Sequence, residues 1–189
     1  MTDPVFRYRP SPHFNARPEG VSIDLLVLHA ISLPPGFFGG HAIDDFFLGR
    51  LDAAAHPFFQ EIATLKVSAH FVIDRQGAVT QYVPVHGRAW HAGVSIWEGR
   101  ENCNDFSIGV ELEGDANTPF EDCQYNTLAR LTALLQSRLP TLREERIVGH
   151  QHVAPTRKWD PGPTFDWSEF KQRLQHSQPN TNWPVRWEA

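Results

Sequence analysis

The chain has 189 residues and a mass of 21.5 kDa, which is enough for one well-buried domain and short for two. Apolar residues make up 41% and charged residues 21%, a globular mixture that excludes disordered, collagen-like and coiled-coil proteins. The 17 basic and 22 acidic residues give a formal net charge of -5, and because a field of this sign repels phosphate we expect no nucleic-acid partner.

The chain begins with a proline-rich segment, residues 1–22, which predicts a loop-like arm packed on the domain. Residues 25–28 are continuously apolar and β-favouring, as in a central strand buried on both faces. This strand ends at His29. The prolines and glycines of residues 32–40 then predict a loop at the end of a core strand.

Extended segments dominate the middle of the chain. A short helix is predicted over residues 43–48. Residues 67–74 and 79–85 are predicted strands on either side of a turn at residues 75–78, so we expect a β-hairpin. Residues 107–114 predict a further strand. Because a hairpin occurs among alternating strands and helices, the sheet is expected to be mixed rather than purely parallel.

The clearest helix pattern begins at Thr118. Pro119 occupies the first helical position, and Glu121 stands three residues after the cap, the spacing of a capping box. Leucines then recur at helical spacing, and Pro140 ends the pattern. We therefore expect one apolar stripe of this helix to face the sheet.

A second capping-box pattern begins at Asp166 and predicts a helix to about Leu174. Residues 176–189 are polar and contain proline, so we expect a loosely held tail. The whole pattern predicts an α/β fold with a single domain, residues 23–175, in which helices flank a central mixed sheet.

His29 follows a buried strand, at the position where α/β sheets usually place ligand groups. A lone histidine there is more often a hydrogen-bonded core residue than a ligand. Two imidazoles and one carboxylate with an open fourth position form a catalytic zinc set, so one of His150 and His152 together with Asp160 could complete it. Spacing does not choose between His150 and His152, because both would share one face of an extended strand.

Two acidic residues, Glu111 and Glu113, interrupt the otherwise apolar strand of residues 107–114. A buried carboxylate is costly unless it is paired or coordinated, so we expect at least one of them to face a wet cleft or a cation. The alternative is a strand with one solvated face. Lys158 would point the same way as Asp160 in an extended segment, which places a cation beside the candidate ligand.

Trp90 and His91 lie in a long loop rich in aromatic residues and glycine. Flat aromatic surfaces suit a sugar or peptide groove, although tryptophans more often pack in cores. His70 is interpreted as a structural residue of its strand.

Few features connect this sequence with a membrane or an oxidising compartment. The first twenty residues lack the apolar run of a secretion signal, and no later stretch is long enough for a membrane span. Cys103 and Cys123 are too few for a disulfide framework in a chain of this size, which favours a reducing compartment. We therefore expect a cytoplasmic protein without a membrane partner.

Several segments together resemble the AmpD family, the cytoplasmic 1,6-anhydro-N-acetylmuramyl-L-alanine amidases of bacterial cell-wall recycling. The match covers roughly residues 10–175, in order. Related zinc amidases with the peptidoglycan-recognition fold share only parts of it. The matching segments are SPHFNARP (11–18), LLVLHAISLPPGFFGG (25–40), VSAHFVI (67–73), RAWHAG (88–93), CNDFSIGVELEG (103–114), GHQHVAP (149–155) and RKWDPGPTFDW (157–167).

The resemblance implies a site for one zinc ion formed by His29, His150 and Asp160, and it thereby favours His150 over its neighbour two residues on. It also implies two catalytic residues. Glu111 would accept a proton from water and pass it to the departing amine. Lys158 would hydrogen-bond the developing oxyanion.

Substrate contacts are less closely defined by the resemblance. Trp90 and His91 are candidates for the sugar side, and Lys66 is a candidate for the stem-peptide carboxylates. The sequence departs from the family pattern at Ala30, where asparagine is usual, and at His152, where a smaller polar residue is common. These two departures concern contacts near the metal rather than the ligand set.

The implied reaction is hydrolysis of the amide between 1,6-anhydro-N-acetylmuramic acid and L-alanine of the stem peptide. We expect a monomer that takes a small anhydro-muropeptide as its substrate. One alternative is an exported-type amidase that acts on intact peptidoglycan. The other is a non-catalytic muropeptide-binding module, but such modules typically lack a complete zinc set.

Overall fold

Apolar, β-favouring runs form the central strands, such as residues 25–28 and 71–73, of the computed structural model, which describes residues 4–189. Within these residues there are ten strands: β1 (Phe6–Tyr8), β2 (Phe14–Ala16), β3 (Leu25–Ile31), β4 (Phe71–Ile73), β5 (Val79–Gln81), β6 (Gly87–Ala89), β7 (Ile96–Trp97), β8 (Arg100–Glu101), β9 (Ser107–Glu113) and β10 (Ile147–Gly149). The α-helices are α1 (Ala42–Phe47), α2 (Pro57–Ile62), α3 (Asp122–Arg138), α4 (His150–Val153) and α5 (Trp167–His176).

Six strands form a central mixed sheet in the order β1-β5-β4-β9-β3-β10. The β4–β5 pair is the predicted hairpin and is antiparallel, whereas the other four pairings are parallel. At the centre, β3 and β9 are paired along their whole length, from Leu25 opposite Ser107 to Ile31 opposite Glu113. The predicted α/β architecture with a central mixed sheet is confirmed.

Helices α3 and α5 cover one face of this sheet and form its largest apolar core. Leucines of α3 recur at spacings of three and four residues, so they lie on one side of the helix. The buried residues that meet there include Leu26, Leu28, Ile108, Val110, Leu128, Leu131 and Leu135. Among the residues described, no helix combines the length and the apolar composition needed to cross a bilayer.

The first residue of α3 differs from the prediction. The helix begins at Asp122, with Glu121 as its N-cap and Gln124 completing the capping box, rather than directly after Thr118. Thr118 belongs to a preceding turn, because the carboxylate of Asp115 accepts hydrogen bonds from the backbone N–H groups of Asn117 and Thr118. These local hydrogen bonds compete with helix formation, so the helix begins about one turn later than predicted.

Helix α5 begins as predicted and extends two residues beyond the predicted end. The Asp166 side chain accepts from the backbone N–H groups of Ser168 and Glu169, which satisfies two donors of the first turn. The helix then continues to His176.

The two ends of the chain are more ordered than predicted, although residues 1–3 of the predicted arm lie outside the described part. Strand β1 pairs with β5, and β2 pairs with β6. Near the other end, the carbonyls of Arg186 and Trp187 accept hydrogen bonds from the N–H groups of Val85 and His86. The prediction of a loosely held tail is therefore wrong, because the tail satisfies backbone donors elsewhere in the fold.

Candidate active site

The register of β3 and β9 places two chemically important side chains next to each other. His29 and Glu111 are direct neighbours in this parallel pair. Leu28 and Val110, one residue earlier on each strand, belong to the core under α3. Because strand side chains alternate between faces, His29 and Glu111 project from the opposite face, near the carboxyl ends of the strands.

Strand β10 ends beside them, and the chain turns into a helix rather than remaining extended. His150 is the first residue of α4. His152 does not share its direction, because its Nδ1 accepts a hydrogen bond from the N–H of Gly149 at 2.9 Å and its ring packs against Trp167. The structure therefore separates two histidines that an extended strand would have kept on one face.

His29, His150 and Asp160 form a compact buried cluster. The Nδ1 atoms of His29 and His150 lie 2.9 Å apart, and the Oδ2 atom of Asp160 lies 3.1 Å from the first and 3.0 Å from the second. Three ligands bound tetrahedrally to zinc at about 2.0–2.2 Å are separated by about 3.3 Å. The cluster has the donor types and nearly the spacing of a catalytic zinc site, so these residues fit the metal and could hold it.

The surroundings favour the protonation states that bind metal. Burial, reinforced by the nearby His150, lowers the pKa of His29 to about 4, so its imidazole is neutral near pH 7. Burial alone would raise the pKa of Asp160, but its close contacts with the imidazoles of His150 and His29 outweigh it and hold that pKa well below its usual range. A neutral imidazole beside an ionised carboxylate is the combination that a divalent cation requires.

Glu111 stands beside this cluster with an unusual environment. Its Oε1 lies 4.0 Å from Nδ1 of His29, and its Oε2 is buried without a hydrogen-bond partner among residues 4–189. Burial and the negative charge of Asp160 raise its pKa well above the ordinary value, while the positive charge of Lys158 lowers it. A carboxyl group with a raised pKa in a cleft is a candidate for proton transfer.

Glu113, two residues further along β9, has a different role. Its carboxylate accepts hydrogen bonds from the backbone N–H groups of Gly39 and Arg75, at 2.5 and 3.1 Å. Both glutamates are largely withdrawn from solvent. The alternative of a solvated face is therefore wrong. Glu113 has a structural role, and Glu111 lies in the site.

A cavity of about 280 Å³ opens over the cluster. Its polar lining residues include His29, His91, Glu111, His150, Lys158 and Asp160. Trp90, a candidate for the sugar side, also lines it. Lys66 is exposed, and its neighbours Leu65 and Val67 rather than Lys66 itself line the cavity.

Known proteins resemble this chain in sequence and in fold. A family model described as N-acetylmuramoyl-L-alanine amidase matches residues 19–163. The chain belongs to this amidase family. The 1,6-anhydro-N-acetylmuramyl-L-alanine amidase AmpD of Enterobacter cloacae is 56% identical over 171 residues, which are 90% of this chain and 91% of the relative. The resemblance seen in the sequence is confirmed.

Solved structures extend the comparison. A crystal structure of a selenomethionine AmpD derivative matches with a TM-score of 0.87 at 50% identity, over 92% of this amidase and 96% of that chain. The amidase AmiD from E. coli, in complex with the substrate anhydro-N-acetylmuramic acid-L-Ala-D-gamma-Glu-L-Lys, matches with a TM-score of 0.59 at 29% identity. That match covers 83% of this amidase and 60% of the AmiD chain.

The amidase also has a partly apolar cavity wall that sequence reasoning missed. Phe58, Ile62, Leu65 and Trp159 contribute to it. Trp159 is 48% exposed, and its ring lies so close to Gly162 that a Cβ there would approach it to 2.8 Å. The position of Trp159 directly before Asp160 was the available signal, whereas Phe58 lies in a stretch without a clear pattern.

The two departures from the family pattern lie in different places. Ala30 borders the cavity next to His29, but it also packs against the core under α3, on the face opposite to His29. His152 is turned toward Gly149 and Trp167 and is not part of the cavity lining.

Proposed function

We propose that this amidase hydrolyses the amide between 1,6-anhydro-N-acetylmuramic acid and L-alanine of the stem peptide, using one zinc ion held by His29, His150 and Asp160. The observation that carries the proposal is the buried triangle of donor atoms, with sides of 2.9–3.1 Å, beside the unpartnered carboxyl oxygen of Glu111. The relative from Enterobacter cloacae is named for this reaction, and AmiD binds an anhydro-muropeptide as its substrate.

Zinc bound by these three residues would supply Lewis acidity, which activates water and polarises an amide carbonyl. The protein's contribution is to keep the imidazole of His29 neutral and the carboxylate of Asp160 ionised, and to bury all three ligands. Because the ligands come from β3, α4 and the loop after α4, the folded sheet is needed to bring them together.

Glu111 is proposed as the group that moves the proton. It accepts a proton from the attacking water and delivers it to the amine nitrogen as the amide bond breaks. Its burial and the nearby Asp160 raise its affinity for that proton, which suits a group that must take up a proton and then release it. Its Oε2 atom has no hydrogen-bond partner in the described chain that would compete for this task.

Lys158 is proposed as the electrostatic partner of the reacting carbonyl. It lines the cavity together with Glu111 and the cluster, and its positive charge acts on both Glu111 and His29. An ammonium group there stabilises negative charge that develops on the carbonyl oxygen. A preorganised donor of this kind is typically worth about 2.7–4 kcal/mol in the transition state.

Substrate contacts are proposed around the rim. Trp90 and Trp159 present aromatic surface to the cavity and suit a sugar ring or the lactyl group. His91 lines the same wall, and the exposed ammonium group of Lys66 lies where a stem-peptide carboxylate could reach it. We further propose that the enzyme works as a monomer in the cytoplasm, where cysteines such as Cys103 and Cys123, both free in the structure, remain reduced.

The test is mass spectrometry of a purified anhydro-muropeptide before and after incubation with the protein. We expect free 1,6-anhydro-N-acetylmuramic acid and a stem peptide that begins with L-alanine. A chelator should stop the reaction, and added zinc should restore it. Intact substrate after incubation with zinc-loaded protein would contradict the proposal.

Two further results would favour the alternatives. Release of stem peptides from purified sacculi at a rate similar to that on the small substrate would indicate an exported-type amidase. Binding of muropeptide without cleavage by zinc-loaded protein would indicate a binding module.

A further inference from the structure

The ring of His91 is fixed between a metal-ligand candidate and the start of β9. Its Nδ1 lies 2.9 Å from Nε2 of His29, and its Nε2 lies 3.2 Å from the hydroxyl of Ser107. The ring also lies directly on the backbone of Gly109, where an added Cβ would approach it to 2.4 Å. Both nitrogens of His91 are therefore engaged within the protein, and any side chain at position 109 would displace the ring.

The position of the protons determines which atom donates in each of these hydrogen bonds. A neutral histidine that binds metal through Nδ1 carries its proton on Nε2. His29 must then donate from Nε2 to Nδ1 of His91, which leaves the proton of His91 on Nε2, where it is donated to Ser107. The chain of hydrogen bonds thereby selects the tautomer of His29 and fixes the plane of its ring.

The next residue along the chain acts on the second histidine. Nε2 of His150 donates to the carbonyl of Ala92 at 3.1 Å, which leaves Nδ1 of His150 unprotonated toward the cluster. The backbone N–H groups of His91 and Ala92 both donate to Oδ1 of Asn104, at 3.1 and 2.8 Å. The buried side chain of Asn104 thus holds His91 and Ala92 in place. His91 in turn orients His29, and the carbonyl of Ala92 orients His150.

We infer that residues 91–92, held by Asn104, form the positioning element of the zinc site, with His91 as the positioning residue of His29. The inference rests on the proposed function only in that the cluster must bind zinc. It assigns to His91 a role within the protein that is separate from any contact with substrate.

The test compares His91→Asn with His91→Phe. Asparagine can place its amide oxygen near the position of the histidine Nδ1 and keep the acceptor, whereas phenylalanine keeps the ring shape and loses it. Zinc dissociation constants are measured by competition with a chelator. We expect His91→Phe to bind zinc about 10–100-fold more weakly than wild type and His91→Asn to recover most of that loss. His86→Phe, at an exposed histidine, controls for loss of an imidazole.

A second pair of variants tests the support of the segment. Asn104→Ala removes the acceptor for both N–H groups, and Asn104→Asp retains an oxygen in that place. We expect the alanine variant to weaken zinc binding and the aspartate variant to bind closer to wild type. If His91→Phe does not fold, the zinc affinities of Asn104→Ala and Asn104→Asp test the inference in its place.

Nitrogen-15 NMR of the zinc-loaded wild type supplies a readout that a merely structural role would not move. We expect the proton of His91 on Nε2 and a hydrogen bond from Nε2 of His29 to Nδ1 of His91. A proton on Nδ1 of His91, or equal zinc affinity of wild type, His91→Phe and Asn104→Ala, would overturn the inference. Equal weakening in His91→Asn and His91→Phe would also overturn it. Failure of the wild type itself to bind zinc would instead contradict the proposed function.

Discussion

The two faces of the β3–β9 pair differ in what they require from the rest of the protein. On the α3 face, side chains such as Leu28 and Val110 are fully buried and need only apolar neighbours of the right shape. On the opposite face, His29 and Glu111 are also withdrawn from solvent, but they are polar and need specific partners. Because side chains alternate along a strand, residues that stabilise the core directly precede residues of the site. The two sets face opposite sides of the sheet, so one can be changed without the other.

Among substitutions on the face of the site, Asp160→Ala is expected to have the largest effect. The variant removes the carboxylate of the proposed ligand set, so we expect loss of stoichiometric zinc and a fall in turnover of roughly 10⁴-fold or more. Asp160 is not part of the apolar core under α3, so circular dichroism should show a folded protein. Metal analysis and an amidase assay check both parts, and a variant that retains zinc and turnover would contradict the assignment.

Glu111→Gln separates proton transfer from metal binding. We expect turnover to fall by about 10²–10⁴-fold while zinc remains bound, because the amide cannot accept the proton of the attacking water. Glu113→Gln is the matched control on the same strand, since it alters the hydrogen bonds to Gly39 and Arg75 and leaves the site intact. Wild-type turnover in Glu111→Gln would remove the proposed role.

Leu131→Ala tests the other face. Leu131 is fully buried in the core under α3, so the truncation leaves a cavity and should lower the free energy of unfolding by about 2–5 kcal/mol. At temperatures where the variant is folded, zinc affinity and turnover should match wild type. Chemical denaturation and the amidase assay measure the two effects, and a large loss of zinc affinity would show that the faces are coupled.

His70 is a buried histidine outside the cluster, and it contributes to stability rather than to the site. Its Nδ1 accepts from the N–H of Gly109, and burial followed by the charge of Arg17 lowers its pKa to about 3. Below pH 6.5 the unfolded chain takes up a proton that the folded His70 does not, so stability falls as pH decreases, by about 1.4 kcal/mol per pH unit from this group.

The measurement is the free energy of unfolding from pH 7 to pH 5 in wild type and His70→Asn. We expect the variant to lose less stability on acidification, by the contribution of one proton. Parallel pH profiles in the two proteins would show that His70 does not carry this dependence.

The sequence predicted those secondary-structure elements that are determined by residues near to each other in the chain. The apolar run before His29, the hairpin of β4 and β5 and the capping residue Asp166 all depend on neighbours in the chain, and all are present. The start of α3 was misplaced because the side chain of Asp115 captures the backbone before the helix begins.

Long-range contacts were beyond the same reasoning. The tail residues Arg186 and Trp187 bond to residues 101 positions earlier in the chain, with no local pattern to indicate it. Spacing left open the choice between His150 and His152, since it depends on the turn into α4. The contacts of His91 with His29 and Ser107 likewise join residues 62 and 16 positions apart. Only the folded sheet brings such residues together.

We propose that one zinc ion, held by His29, His150 and Asp160, is required for cleavage of an anhydro-muropeptide. The direct measurement is a titration of zinc into protein stripped with a chelator, with turnover recorded at each ratio of metal to chain. We predict turnover that rises with bound zinc and reaches its plateau at one ion per chain. Full turnover in the stripped protein, or none at one bound zinc per chain, would contradict the account.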